Sequence, residues 1–189
     1  VPLTGPVVIT VDGVEGDRQI DRRYHGGPYK ALCAYASEYY GDWNAQAPVP
    51  MPPGSFGENL HTAGLLDPDV HIGDVRRLGT ALIEVTGPRG PCGTLAAHWG
   101  LKDINVDSKR LRRTGYYLRV LEPGMAEAGD VLLPVDRTLE AWPITRFWDL
   151  LDAPKDFADL DAVRQLRNAP ALDEEWHARL DKIIARSSS

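Results

Sequence analysis

Cysteine is nearly absent: Cys33 and Cys92 are the two thiols in a chain of 189 residues. Two thiols make no disulfide framework, so a reducing cytoplasm is the expected compartment. An excess of positive charge is also missing. Lysine and arginine total 21 against 27 acidic residues, a net charge of -6. That argues against a nucleic-acid partner and leaves room only for a local basic site. No apolar run approaches the roughly 18 residues of a membrane span, so no membrane partner is expected, and no charged-then-apolar leader opens the chain. The histidines (His25, His61, His71, His98, His177) show no spacing suited to a shared zinc. No Walker loop, dinucleotide fingerprint or internal repeat is present.

What is present reads as a globular chain, with 43% hydrophobic and 25% charged residues. Strands are expected over 6–11, 31–35, 75–78, 80–86, 115–121 and 131–135, from β-branched alternation between Gly-Asp turn pairs. Ser37 is expected to cap a short helix reaching Trp43, and a mixed helix over 95–105 to break at Gly100. The period changes near Leu139. Residues 144–151, 160–167 and 173–184 carry apolar side chains at helical spacing, with Thr145 and Asp173 as candidate N-caps. The expected fold is therefore mostly β, a β-barrel with helical insertions over 1–139, followed by a small α-helical subdomain of three helices over 140–189.

Three loops concentrate glycine with ionisable side chains: 16–32, 55–60 and 87–95. The last one, Gly87-Pro88-Arg89-Gly90-Pro91-Cys92-Gly93, is stiffened by two prolines that cannot continue a ladder. It holds Cys92 three residues beyond Arg89. A nearby guanidinium or a helix start favours a thiolate, whereas a lone cysteine more often is a small buried hydrophobe. Cys33, inside an apolar run, fits that second description. Arg18, Arg22, Arg23, His25, Lys30 and Arg89 together would make a basic pocket for a phosphate or another anion, although Arg22 and Arg23 also suit a solvated surface.

Gly16-Asp17 with Asp21, His25-Gly26-Gly27, Ala31-Leu32, Phe56-Gly57-Glu58-Asn59-Leu60, Gly64-Leu65, Ile72-Gly73-Asp74, Pro88-Arg89, Pro91-Cys92 and Thr114-Gly115-Tyr116-Tyr117 follow in order. Over about Gly5 to Val135 the chain resembles the MOSC family, named for the molybdenum-cofactor-sulfurase C-terminal domain. It is most similar to the bacterial subgroup with a helical C-terminal extension linked to hydroxylaminopurine resistance. The resemblance implies a β-barrel holding a molybdenum cofactor of molybdopterin type. By motif match Cys92 is the molybdenum ligand, and His25, Gly26, Gly27, Lys30, Asn59 and Arg89 line the cofactor pocket. Asp21 or Glu58 would relay protons, or serve as structural caps.

The activity so implied is reduction of small N-hydroxylated substrates to amines, with electrons from a separate reductase. The alternatives are a sulfur carrier working through a Cys92 persulfide loaded by a cysteine desulfurase, and a module that only delivers cofactor. Two departures from the family pattern stand out. Gly93 and Thr94 replace a bulkier and a basic residue, and most of the family's opening strand is missing before Val1, so residues are expected to precede it.

Overall fold

A computed structural model describes residues 3, 5–17, 26–91, 93–153 and 159–187. Its centre is the antiparallel pair β6 (Ala81–Pro88) and β7 (Tyr116–Glu122). Both are rich in β-branched and aromatic residues, and β6 is buried on nearly its whole length, as suits a strand covered on both faces. Glu84 and Arg119 stand directly opposite on the two strands and form an ion pair.

Around this pair the sheet runs β4-β3-β7-β6-β5-β9, with β3 (Leu32–Ala36), β4 (Leu60–Thr62), β5 (Asp74–Leu78) and β9 (Leu133–Arg137). Strands β3 and β4 pair in parallel; the other neighbours are antiparallel. A second sheet is ordered β2-β1-β8, from β1 (Val7–Thr10), β2 (Gly13–Val14) and β8 (Gly124–Ala126). Irregular register within β6–β7, near Leu82/Ile83 and Val85/Gly87, and within β5–β9 raises the local twist. The result is a curled mixed sheet, a half-barrel, which agrees with the mostly β, barrel-like reading.

Among the described residues the helices are α1 (Tyr40–Asn44), α2 (Gly93–Trp99), α3 (Ile104–Arg110), α4 (Ile144–Asp152), α5 (Leu160–Arg167) and α6 (Glu174–Ser187). The expected break near Gly100 falls between α2 and α3. Asp173 accepts from the Trp176 N–H at 2.9 Å and caps α6, as its position suggests. Two expected caps are corrected. Ser37 opens a 3-10 turn, and its hydroxyl bonds to Glu38 rather than to the backbone. Helix α4 starts at Ile144 behind Pro143, so Thr145 lies inside it.

The apolar core does not stop at Leu139. One cluster joins Leu32, Ile72, Ile83, Val85 and Leu118 of the sheet region to Trp142, Ile144, Phe147, Val163, Leu166, Trp176 and Leu180 of the helical part. A second, aromatic cluster gathers Tyr35, Tyr39, Tyr40, Trp43 and Phe56 under Leu95 of α2 and Ile104 of α3. There the Tyr35 and Phe56 rings stack at 3.9 Å.

Candidate functional site at the end of strand β6

Strands β3, β6 and β7 end together. Register places Cys33 opposite Tyr117, and Tyr117 opposite Gly87. Beyond Pro88 the ladder adds one more bond, from the Arg89 N–H to the Gly115 carbonyl at 3.0 Å. Arg89 is thereby carried into the interior, 5% exposed. Its Nη1 has no hydrogen-bond partner, and no carboxylate pairs with it among the described residues. A buried guanidinium in that state is costly unless something anionic completes it.

Two groups of β3 feel the Arg89 charge. Burial pushes the Cys33 thiol up to about 12; the Arg89 charge opposes this and the Glu58 charge adds to it. The Tyr35 hydroxyl is driven far above its usual range, again chiefly by burial, with Arg89 opposing. Cys33 is thus an inert, protonated thiol, as its apolar run suggests.

Asn59 serves the backbone of the same strand. Its Oδ1 accepts from the Cys33 N–H at 2.9 Å, its own N–H donates to the Cys33 carbonyl at 3.1 Å, and its Nδ2 reaches Asp17 at 3.3 Å. Glu58 is likewise committed. Its carboxylate accepts from the Tyr40 hydroxyl, from Gly54 N–H at 2.8 Å and from Phe56 N–H at 3.1 Å, and lies 3.2 Å from His61 Nδ1. That is the arrangement of a loop cap.

Gly27 has φ +98, which a side chain would not tolerate, and it opens the 3-10 turn Pro28–Lys30. Gly26 precedes it, half-buried. Lys30 is bound to the start of α6: its ammonium lies 3.2 Å from Glu175 and 3.6 Å from Asp173, and 5.6 Å from the Tyr117 ring centroid. The Thr86 hydroxyl donates to the Tyr29 carbonyl at 2.6 Å and ties the turn to β6. Arg89 and Lys30 therefore differ in kind. The first is a buried cation without an ion pair among the described residues; the second is neutralised by the start of α6. Cys92, His25 and Asp21, with Arg18, Arg22 and Arg23, lie outside the described residues.

Sequence reasoning missed Asp67. It is 1% exposed, and its Oδ1 accepts from Thr114 N–H (2.9 Å), Thr114 Oγ1 (3.1 Å) and Gly115 N–H (3.0 Å), while its Oδ2 has no partner. Burial pushes this carboxyl up to about 6 against those bonds. No period or motif marks an aspartate before a proline as a buried anchor; its partners are 47 and 48 positions away.

With that geometry in view, the comparisons are informative. The MOSC domain family matches residues 21–133. The uncharacterised protein YflK of Bacillus subtilis is 36% identical over 181 residues, spanning 96% of this chain and 81% of that protein. Protein YiiM of Escherichia coli is 35% identical over 186 residues, spanning 96% and 81%. The crystal structure of the same YiiM superposes with a TM-score of 0.82 at 32% identity, over 97% of this chain and 87% of that one. A protein named "Reductase" from Gibberella moniliformis is 35% identical over 145 residues, which are 74% of this chain but 26% of that protein. No helix among the described residues is long and apolar enough to cross a membrane.

Proposed function

The chain belongs to the MOSC domain family, and from that premise we propose that it binds a molybdenum cofactor of molybdopterin type and reduces N-hydroxylated compounds to amines. The carrying observation is Arg89, a buried guanidinium whose Nη1 has no partner among the described residues. A phosphate matches that donor in charge and hydrogen bonding. When bound, the cofactor would supply two-electron reduction chemistry for cleaving the N–O bond.

The chain's own residues then divide the work. Arg89 holds the anionic end of the cofactor. The bare backbone of Gly26 and Gly27 lets the ligand approach closely. Asn59 keeps β3 and β4 in register beneath the site. Cys92, by motif match, supplies a soft thiolate suited to molybdenum. Conversion of R–NHOH to R–NH2 and water consumes two electrons and two protons, so a separate reductase is the proposed partner. The fungal relative named a reductase supports a redox role.

The test is elemental analysis of protein produced in a host that makes molybdopterin, followed by hydroxylaminopurine reduction with a competent electron donor. Molybdenum near one per chain together with turnover supports the reading. Protein without molybdenum that accepts sulfur from a cysteine desulfurase would replace it with the sulfur-carrier reading. Protein that holds cofactor but never turns over would replace it with the delivery-module reading.

A further inference from the structure

Asp67 takes no part in that chemistry, yet it is tied to the site through a short chain of hydrogen bonds. Its Oδ1 holds both backbone N–H groups of Thr114 and Gly115. The Gly115 carbonyl in turn accepts the Arg89 N–H. Gly115 sits at φ +72, and a Cβ there would come within 2.4 Å of the Ala34 carbonyl oxygen, so the turn has no slack to move independently. On the other side, the Trp148 indole of α4 donates to Thr114 Oγ1 at 3.0 Å.

We propose that Asp67 is a positioning residue for the Arg89 site, setting the backbone at Arg89 through the Thr114–Gly115 turn and adjusting the site's affinity for anions through its own charge. This rests on the reading that Arg89 receives an anion. The three donors from Thr114 and Gly115 converge on Oδ1, and the Tyr39 hydroxyl also acts on the carboxylate, so a proton at Oδ2 leaves the bonds to the Thr114–Gly115 turn unbroken. Protonation therefore alters the charge and leaves the hydrogen bonds to the turn in place. An ionised Asp67 opposes an anion arriving at Arg89; a neutral one does not.

The groups facing Asp67 do not titrate in competition with it below neutral pH. Tyr39 on the 37–39 turn, Tyr35 on β3 and Tyr116 on β7 are all pushed well above their usual range, burial being the main cause. The charged groups nearby are Arg113, which acts on Tyr39, and Arg76 with Asp74, which act on Tyr116. Trp148 of α4 carries no charge. Asp67 itself is placed at about 6.

The experiment has two arms on the full chain, comparing wild type with Asp67→Asn, whose amide oxygen can still accept the three bonds. In the first, the Arg89 amide and Trp148 indole N–H signals are followed by NMR from pH 4.5 to 8 without ligand. Both should shift with one midpoint near 6 in wild type and stay flat in the variant. In the second, affinity for sulfate, which keeps one charge throughout, is measured over the same range. Wild type should tighten on the order of fivefold on going from pH 7.5 to 5, and Asp67→Asn should hold one affinity throughout. Signals or affinities that titrate alike in both proteins would overturn the proposal, because the change would then come from another group. Sulfate binding that is absent in wild type, or that is unchanged by Arg89→Met, would overturn the anion reading, together with this proposal's anion half. The NMR arm still decides the coupling.

Discussion

The Trp176 indole nitrogen stands 3.1 Å from the point where a Cβ on Gly87 would project. Gly87 is two residues before Arg89, and Trp176 lies in the first turn of α6, so the C-terminal helix packs directly on the strand end that carries the site. Trp176 also meets Phe147 edge-on at 4.6 Å. Trp176→Ala should therefore remove a buried ring and cost about 3–5 kcal/mol, measured by chemical denaturation. Gly87→Ala should cost about 1–3 kcal/mol, since its φ of +149 and the indole both oppose a methyl group. Retained wild-type stability in both would mean that the helix is not seated there.

A chain ended after Leu139 should not unfold cooperatively. It would lose Trp142, Ile144, Phe147, Trp148 and Trp176, which share one cluster with Leu32, Ile83, Val85 and Leu118. It would also free Lys30 from Asp173 and Glu175. A sharp thermal transition with near-ultraviolet dichroism from such a fragment would show that the sheet stands alone.

Much of the fold can be read from the chain, and the reasons differ by element. Strands β6 and β7 announce themselves through β-branched and aromatic runs between glycines, and the three C-terminal helices through their apolar spacing. Strand β8 does not: Gly-Met-Ala has weak strand preference, and it pairs with Val7, Val8 and Ile9 more than a hundred residues earlier. The site was legible as a set of loops but not as an arrangement. Arg89 and Lys30 look alike in sequence. Only folding brings Asp173 and Glu175 to Lys30 and leaves Arg89 buried with a free Nη1 among the described residues. Long-range partners of this sort have no local signature.

The two cysteines should differ in reactivity. With its thiol pushed up to about 12 by burial, Cys33 stays protonated at pH 7.5. Alkylation followed by mass spectrometry should modify Cys92 in cofactor-free protein well before Cys33. Equal rates, or the reverse order, would remove Cys92 as the reactive thiol.

Stability should carry the mark of Asp67. Its carboxyl is raised in the folded chain, from an ordinary 3.8 to about 6. The native state therefore keeps a proton that the unfolded state has released between those two values. Stability from this group is full below pH 4 and falls as the pH rises through 6. In denaturation at a series of pH values, Asp67→Asn should lack that decline. The difference between the two proteins should move in the variant's favour by up to about 3 kcal/mol from pH 4 to 7. Parallel curves would place the ionisation elsewhere.

Arg89 and Cys92 should fail in opposite ways. A buried guanidinium in no ion pair among the described residues burdens the cofactor-free fold. Arg89→Met keeps most of the volume and drops the charge, so the cofactor-free variant should be as stable as wild type or more so. It should bind cofactor one to two decades more weakly, the loss of charge-assisted hydrogen bonds worth roughly 1.5–3 kcal/mol. Excess cofactor should then restore much of its turnover. Cys92→Ser exchanges a soft thiolate for a hard, weakly acidic hydroxyl. It should still bind the pterin through Arg89, yet turn over nothing at any cofactor concentration. Denaturation, cofactor titration and hydroxylaminopurine reduction on the same three proteins separate these outcomes. An Arg89→Met protein less stable than wild type and unaltered in cofactor affinity would make Arg89 a structural residue. Wild-type turnover by Cys92→Ser would end the metal-ligand mechanism.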